Sequence, residues 1–185
     1  MHLIDALRGF ALFLILLSPG AAIANDWDAL TKPGAMAIMR HALAPGTGDP
    51  AHFELGDCST QRNLNDVGRK QAETLGEALR ARDINFATVW SSEWCRAMDT
   101  AEALGLGPVT PVPALNSFFR DPSTREAQTT ELLDRLDAAD GRIMMVTHFV
   151  NIRALTGQTA GSGEVLVIRR GASGIEVLGR INIAP

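Results

Sequence analysis

The sequence predicts an α/β domain on a mainly parallel sheet. Three short apolar runs, Ala35–Met39, Phe86–Trp90 and Ile143–Val146, each stop at polar residues. These are Arg40-His41, Ser91-Ser92 and Thr147-His148. Short apolar runs bounded by turn residues read as buried strands. Segments with helical periodicity lie between them. Strands alternating with helices make a parallel sheet whose carboxyl ends gather on one edge, where ligands bind. A length of 185 residues suits one domain with a real hydrophobic core.

Residues 1–24 read as a secretory signal peptide. Arg8 precedes the apolar run Gly9–Leu17, then come Ser18-Pro19-Gly20 and the small-residue pattern Ala22-Ile23-Ala24. The apolar run is short for a membrane span. Cleavage is expected after Ala24, leaving a single domain over 25–185, periplasmic or secreted, with no stable membrane insertion. Losing Asp5 and Arg8 together leaves the net charge at −4. That charge argues against nucleic acid as a partner. Only Lys32 and Lys70 of the 17 basic residues are lysine. Arginine's fork suits phosphate where it is placed for it, although codon bias yields the same composition.

The first strand, about Ala35 to Met39, follows a polar lead-in. Ala42 to Asn63 has no clear period and is rich in Gly, Pro, Asp and Ser. A loop that long inside a compact domain is functional or mobile, and its His52 reads as a surface residue. A helix is expected from Asn65-Asp66, either of which can cap it, to about Arg82. Val67, Ala72, Leu75 and Leu79 form its apolar side. After the second strand, Ser91-Ser92-Glu93 is expected to open a helix that Gly105, Gly107 and Pro108 stop. Arg96 falls near its start, where backbone donors attract anions; a surface pairing with Glu93 or Asp99 is the plainer alternative.

Pro108 to Pro113 reads as extended, and Leu115 to Pro122 as irregular, with Phe118 and Phe119 as core fillers. Ser123 to about Ala138 is expected to be helical. Ile143–Val146 is the best buried strand, and Phe149 to Leu155 a short helix ended by Gly157. Glu164–Arg169 and Ile175–Ile181 form a hairpin by composition and spacing. Cys58 and Cys95 are either bridged, as an oxidising compartment permits, or two buried free thiols.

Parallel strand ends would bring Arg40, His41, Arg96 and His148 together. Two guanidiniums offer up to ten N–H donors to phosphoryl oxygens. A neutral imidazole can attack phosphorus, and neighbouring guanidiniums favour that neutral form. The second imidazole, if protonated, would balance charge on the transferring group. His41 and His148 as metal ligands are disfavoured, because adjacent arginines repel a dication and no third ligand presents itself. No metal or cofactor is expected.

The residues Arg40-His41, Ser91-Ser92 with Arg96 and Thr100-Ala101, and Thr147-His148, in that order, resemble the histidine phosphatase superfamily, the phosphoglycerate-mutase-like group. The segment Asn65–Ala72 is similar to the stretch between that family's first two motifs. The resemblance implies a three-layer α/β/α sandwich, phosphomonoester hydrolysis through a phosphohistidine on His41, and a phosphate pocket of Arg40, Arg96 and His148. Two positions depart from the family pattern. Ala42 stands where glycine is usual, and Leu115-Asn116-Ser117 has serine where many members carry the acidic Glu. Asp121, or less well Glu126, is the candidate replacement acid. Thr147–Asn151 and the leader are similar to envelope members, so a phosphorylated small molecule or envelope component is the expected partner. The alternative is a non-catalytic module that binds phosphate esters without turning them over.

Overall fold

The computed structural model describes residues 25–183, so the leader expected over 1–24 lies outside the described residues. A six-stranded sheet runs in the order β3-β2-β4-β1-β5-β6. Its strands are β1 (Ala35–Arg40), β2 (Thr88–Ser91), β3 (Val109–Pro111), β4 (Ile143–Thr147), β5 (Val165–Gly171) and β6 (Gly174–Ile181). β3, β2, β4 and β1 are mutually parallel, while the β5–β6 hairpin joins antiparallel to β1. The sheet is therefore mostly parallel, as the alternation of strands and helices predicted.

Alternate residues of the central strands feed two separate cores, which makes the molecule three-layered. Ala37, Met39, Met144 and Val146 face the helices α1 (Asp66–Arg80) and α2 (Cys95–Leu104), against Leu75, Leu79, Ala97, Ala101 and Leu104. Ile38, Ile143 and Met145 face α3 (Arg125–Asp137) and α4 (Phe149–Thr156), against Leu132, Leu136, Ile152 and Leu155. Every residue of β4 is buried, as expected of a central strand covered on both faces.

Local chemistry sets the helix limits. The Asn65 side chain accepts the Gly68 N–H at 2.9 Å and caps α1. Gly105 and Gly157, at φ 61° and 72°, end α2 and α4 in left-handed conformations that cost glycine little. α2 corrects one expectation. It begins at Cys95, not at Ser91-Ser92-Glu93, because Ser91 completes β2 and the ladder runs on through Ser92, whose N–H donates to the Val146 carbonyl at 2.9 Å. The hairpin, the short helix α4 and the helix over 125–137 lie where the sequence reading put them.

Candidate active site

Because β2, β4 and β1 are neighbours in that order, the polar residues after each strand share one edge. The ladder continues past the strands: the His41 N–H donates to the Thr147 carbonyl at 2.9 Å. Arg40, His41, Arg96 and His148 accordingly line one cleft, together with Asp49, Arg62, Trp94, Ser117, Arg120, Phe119 and Phe149.

His41 is buried and held from several sides. The Thr100 hydroxyl accepts the Ala42 N–H at 3.0 Å and donates to the Arg96 carbonyl at 2.6 Å, tying the first motif to α2. Gln71 accepts the Leu43 N–H at 3.1 Å and donates to the Ser162 carbonyl at 3.0 Å. The His41 Nδ1 lies 2.8 Å from the Ala42 carbonyl. A carbonyl can only accept, so Nδ1 carries the proton and Nε2 carries the lone pair. The Arg96 Nε–H points at that lone pair from 3.2 Å. Burial, followed by the charge of Arg96 and more weakly those of Arg40 and Arg62, pushes the His41 pKa down to about 3 against the pull of the Ala42 carbonyl.

His148 packs edge-on to His41 with ring centroids 5.5 Å apart, and its Nε2 lies 2.8 Å from the Ser92 hydroxyl. Burial drives its pKa well below the ordinary value, helped by His41 and by Arg96, Arg62 and Arg40. His148 is therefore neutral, because three guanidiniums surround a group withdrawn from water. Asn116 organises the same corner. Its Oδ1 accepts the Ser92 hydroxyl at 3.2 Å and the Glu93 N–H at 2.8 Å, and its Nδ2 donates to Glu93 at 2.7 Å.

Arg96 pairs with neither Glu93 nor Asp99. Asp99 pairs with Arg69, and Arg96 forms a buried two-pronged bridge to Asp49, at 2.6 and 3.1 Å. Asp49 also accepts from the Arg62 N–H at 3.2 Å and the Trp94 indole at 3.3 Å. Burial pushes its carboxyl up, but these donors, Arg96 foremost, outweigh that and hold it below the usual carboxylate range. Arg62 donates from Nε to the Gly48 carbonyl at 2.8 Å and from its fork to the Ala44 carbonyl, which fastens the loop to the site. Arg40 lies beside the Phe149 ring at 5.6 Å, and its buried Nε has no partner among the described residues.

Sequence reasoning missed Asp49 and Arg62. The available signal was Gly46-Thr47-Gly48-Asp49-Pro50, a carboxylate in a tight turn close after His41, with Gly46 and Gly48 at φ 92° and 70°. The long loop does reach the site, and Cys58 is bridged to Cys95 across 37 residues, joining that loop to the start of α2. Two expectations meet a different geometry. Phe118 is buried in the core, but Phe119 is half exposed and lines the cleft. Asp121 is exposed, accepts from the Ser123 N–H and hydroxyl at 3.1 and 2.5 Å, and is absent from the cleft lining. The Asp121 side chain is occupied in capping the turn Pro122–Thr124, so this geometry does not present it as the acid.

Fold and site together define an α/β protein with a strongly cationic cleft around two neutral imidazoles. Residues 36–119 match the family model of the histidine phosphatase superfamily (branch 1), which supports that superfamily for this chain. That match supports a phosphatase. No curated protein sequence matches it. Among solved structures, it is similar to the protein histidine phosphatase SixA in complex with tungstate, at 16% identity and TM-score 0.59, covering 80% of this chain and 96% of that one. A phosphoserine phosphatase from Entamoeba histolytica, in complex with phosphoserine, aligns at 12% identity and TM-score 0.59, over 80% and 96% of the two chains. SixA from Agrobacterium tumefaciens aligns at 16% identity and TM-score 0.59, over 82% and 100%.

Proposed function

We propose that this chain is an exported, metal-independent phosphomonoesterase that works through a phosphohistidine on His41. The observation that carries the proposal is the His41 ring. It is a buried neutral imidazole with its proton on Nδ1, its lone pair on Nε2, and guanidiniums around it. The Nε2 lone pair attacks phosphorus and forms a P–N bond as the bond to the leaving oxygen breaks. Water then attacks the phosphohistidine, releasing inorganic phosphate and restoring the neutral ring. Arg40, Arg62 and Arg96 bind the phosphoryl oxygens, and His148, protonated once that anion lies beside it, donates a hydrogen bond to them as charge shifts. The unpartnered Arg40 Nε is the kind of buried donor that an oxyanion satisfies. The tungstate in SixA, also a tetrahedral oxyanion, supports the same use of a similar fold.

Among the described residues, the cleft holds no carboxylate free to donate a proton. Asp49 is held ionised by Arg96, and Ser117 stands where the resemblance placed Glu. The leaving oxygen therefore takes its proton from water, and aryl esters or other good leaving groups are preferred, because general acid help is commonly worth about 10²–10⁴-fold. The four guanidiniums lining the cleft oppose a dication, which supports a reaction without metal. Export is supported by the Cys58–Cys95 bridge, which oxidising compartments favour. The acceptable substrates are then phosphorylated small molecules or envelope components.

The test is rapid quench with a ³²P-labelled aryl phosphate. Wild type should give an acid-labile, base-stable adduct on His41, and His41→Ala should give no adduct and less than about 1% of the turnover. Undiminished turnover in His41→Ala would end the proposal. The missing acid also favours a second reading, a phosphate-ester-binding module, which tight calorimetric binding without hydrolysis of any aryl ester would establish.

A further inference from the structure

The cleft around His41 has a volume of only about 120 Å³. That accommodates a phosphoryl group and little else, since sites for whole small molecules run to roughly 300–1,000 Å³. A second cavity of about 810 Å³ opens between α3 and α4. The two share the Phe119 and Phe149 side chains, whose ring centroids are 5.8 Å apart. These rings form a common wall, so a group leaving the phosphoryl pocket past them enters the larger groove.

The composition of the groove says what it accepts. Phe118, Phe119, Phe149, Val150 and Ala154 make an apolar bed, and Arg125 and Arg153 stand exposed on it. Neither arginine is ion-paired among the described residues. Among the described residues Glu126 is the single acid lining the groove, so its charge balance is positive. An apolar bed beneath two unpaired guanidiniums fits an apolar body that carries an anion.

We infer that the groove between α3 and α4 is a leaving-group site for phosphomonoesters with a bulky apolar or aromatic body and a second, remote anionic group held by Arg125 and Arg153. This rests on the phosphatase reading above and adds the substrate class to it. The site binds the part of the substrate that does not react. It therefore raises kcat/KM for matching esters and leaves small esters unaffected.

The experiment compares phenyl phosphate, biphenyl-4-yl phosphate and 4′-carboxybiphenyl-4-yl phosphate. The remote carboxylate barely alters the reacting phenol, so differences between the two biphenyl esters report binding. In wild type the carboxylated ester should exceed plain biphenyl in kcat/KM by about tenfold, the scale of one exposed charge-assisted contact. The double substitution Arg125→Ala and Arg153→Ala should erase that advantage while leaving phenyl phosphate unchanged. Filling the bed with Ala154→Trp should slow both biphenyl esters and spare phenyl phosphate. Equal rates for the two biphenyl esters in wild type, or an advantage that survives the double substitution, would overturn the inference while leaving the His41 reaction intact. Should none of the esters turn over, the reaction proposal fails by itself. Calorimetry with the two corresponding biphenylmethylphosphonates, on wild type and the double variant, then decides the groove by the same contrast.

Discussion

At the scale of single residues, the site depends on keeping two imidazoles uncharged inside a cationic cleft. His41 and His148 are both buried and both depressed below their ordinary pKa. The unfolded chain takes up protons on these rings below about pH 6.5, and the native state does not. Native stability from this source is therefore complete above that pH and is lost as pH falls toward the native value of about 3 for His41. Urea unfolding between pH 6.5 and 4 should show stability declining by about 1.4 kcal/mol per pH unit for each ring that stays neutral. A saturating oxyanion should flatten that decline, because it favours the charged form of a neighbouring imidazole.

Asp49 makes a second residue-scale case. Its bridge to Arg96 joins two side chains only 6% and 4% exposed. Removing one partner of a buried pair strands the other charge, typically at about 3–5 kcal/mol. Asp49→Ala should lose stability on that scale by urea denaturation. Inorganic phosphate should restore more stability to this variant than to wild type, since an anion then replaces the missing carboxylate.

At the scale of elements, α1 and α2 approach closely enough to hold the first motif against the second. Gly76 makes the approach possible: a Cβ there would collide with the Leu104 backbone at the end of α2. The glycine is helical and strained by nothing; its role is space. Gly76→Ala must push the helices apart or distort α1, and overpacking of this kind costs about 1–3 kcal/mol. Thermal unfolding should register that loss. Activity should fall as well, because Thr100 on α2 anchors the Ala42 N–H beside His41.

At the scale of the molecule, the Cys58–Cys95 bridge ties a loop with few regular elements to the base of a helix. It closes a sequence separation of 37 residues. The chain-entropy account gives such a crosslink about 3–4 kcal/mol. Reduction, or Cys58→Ser with Cys95→Ser, should lower the urea midpoint accordingly. Phosphate affinity should weaken too, since the loop between Ala42 and Cys58 carries Asp49 and Arg62 follows Cys58 within four residues.

Much of this was legible in the sequence. Period and composition are local properties, so the strands at Ala35 and Ile143, the capped helix at Asn65 and the terminal hairpin could be read directly. Arg40, His41, Arg96 and His148 were also accessible, because a parallel sheet brings successive strand ends to one edge. Asp49 was not, since a carboxylate in an irregular loop has no periodicity and its partner lies 47 residues away. Phe119 misled for a related reason: adjacent aromatics say nothing about which ring turns inward. Only Phe118 reached the core.

The amino-acid order by itself determined the strand and helix alternation, the sheet edge that carries the polar residues, and the chemical types gathered there. Tertiary structure alone decided the charge state of the imidazoles, the Asp49–Arg96 bridge and the groove beyond Phe119 and Phe149. The physical reason is range. Hydrophobic period and capping act over a few neighbours along the chain, whereas desolvation, ion pairing and cavity shape depend on segments that meet only after folding.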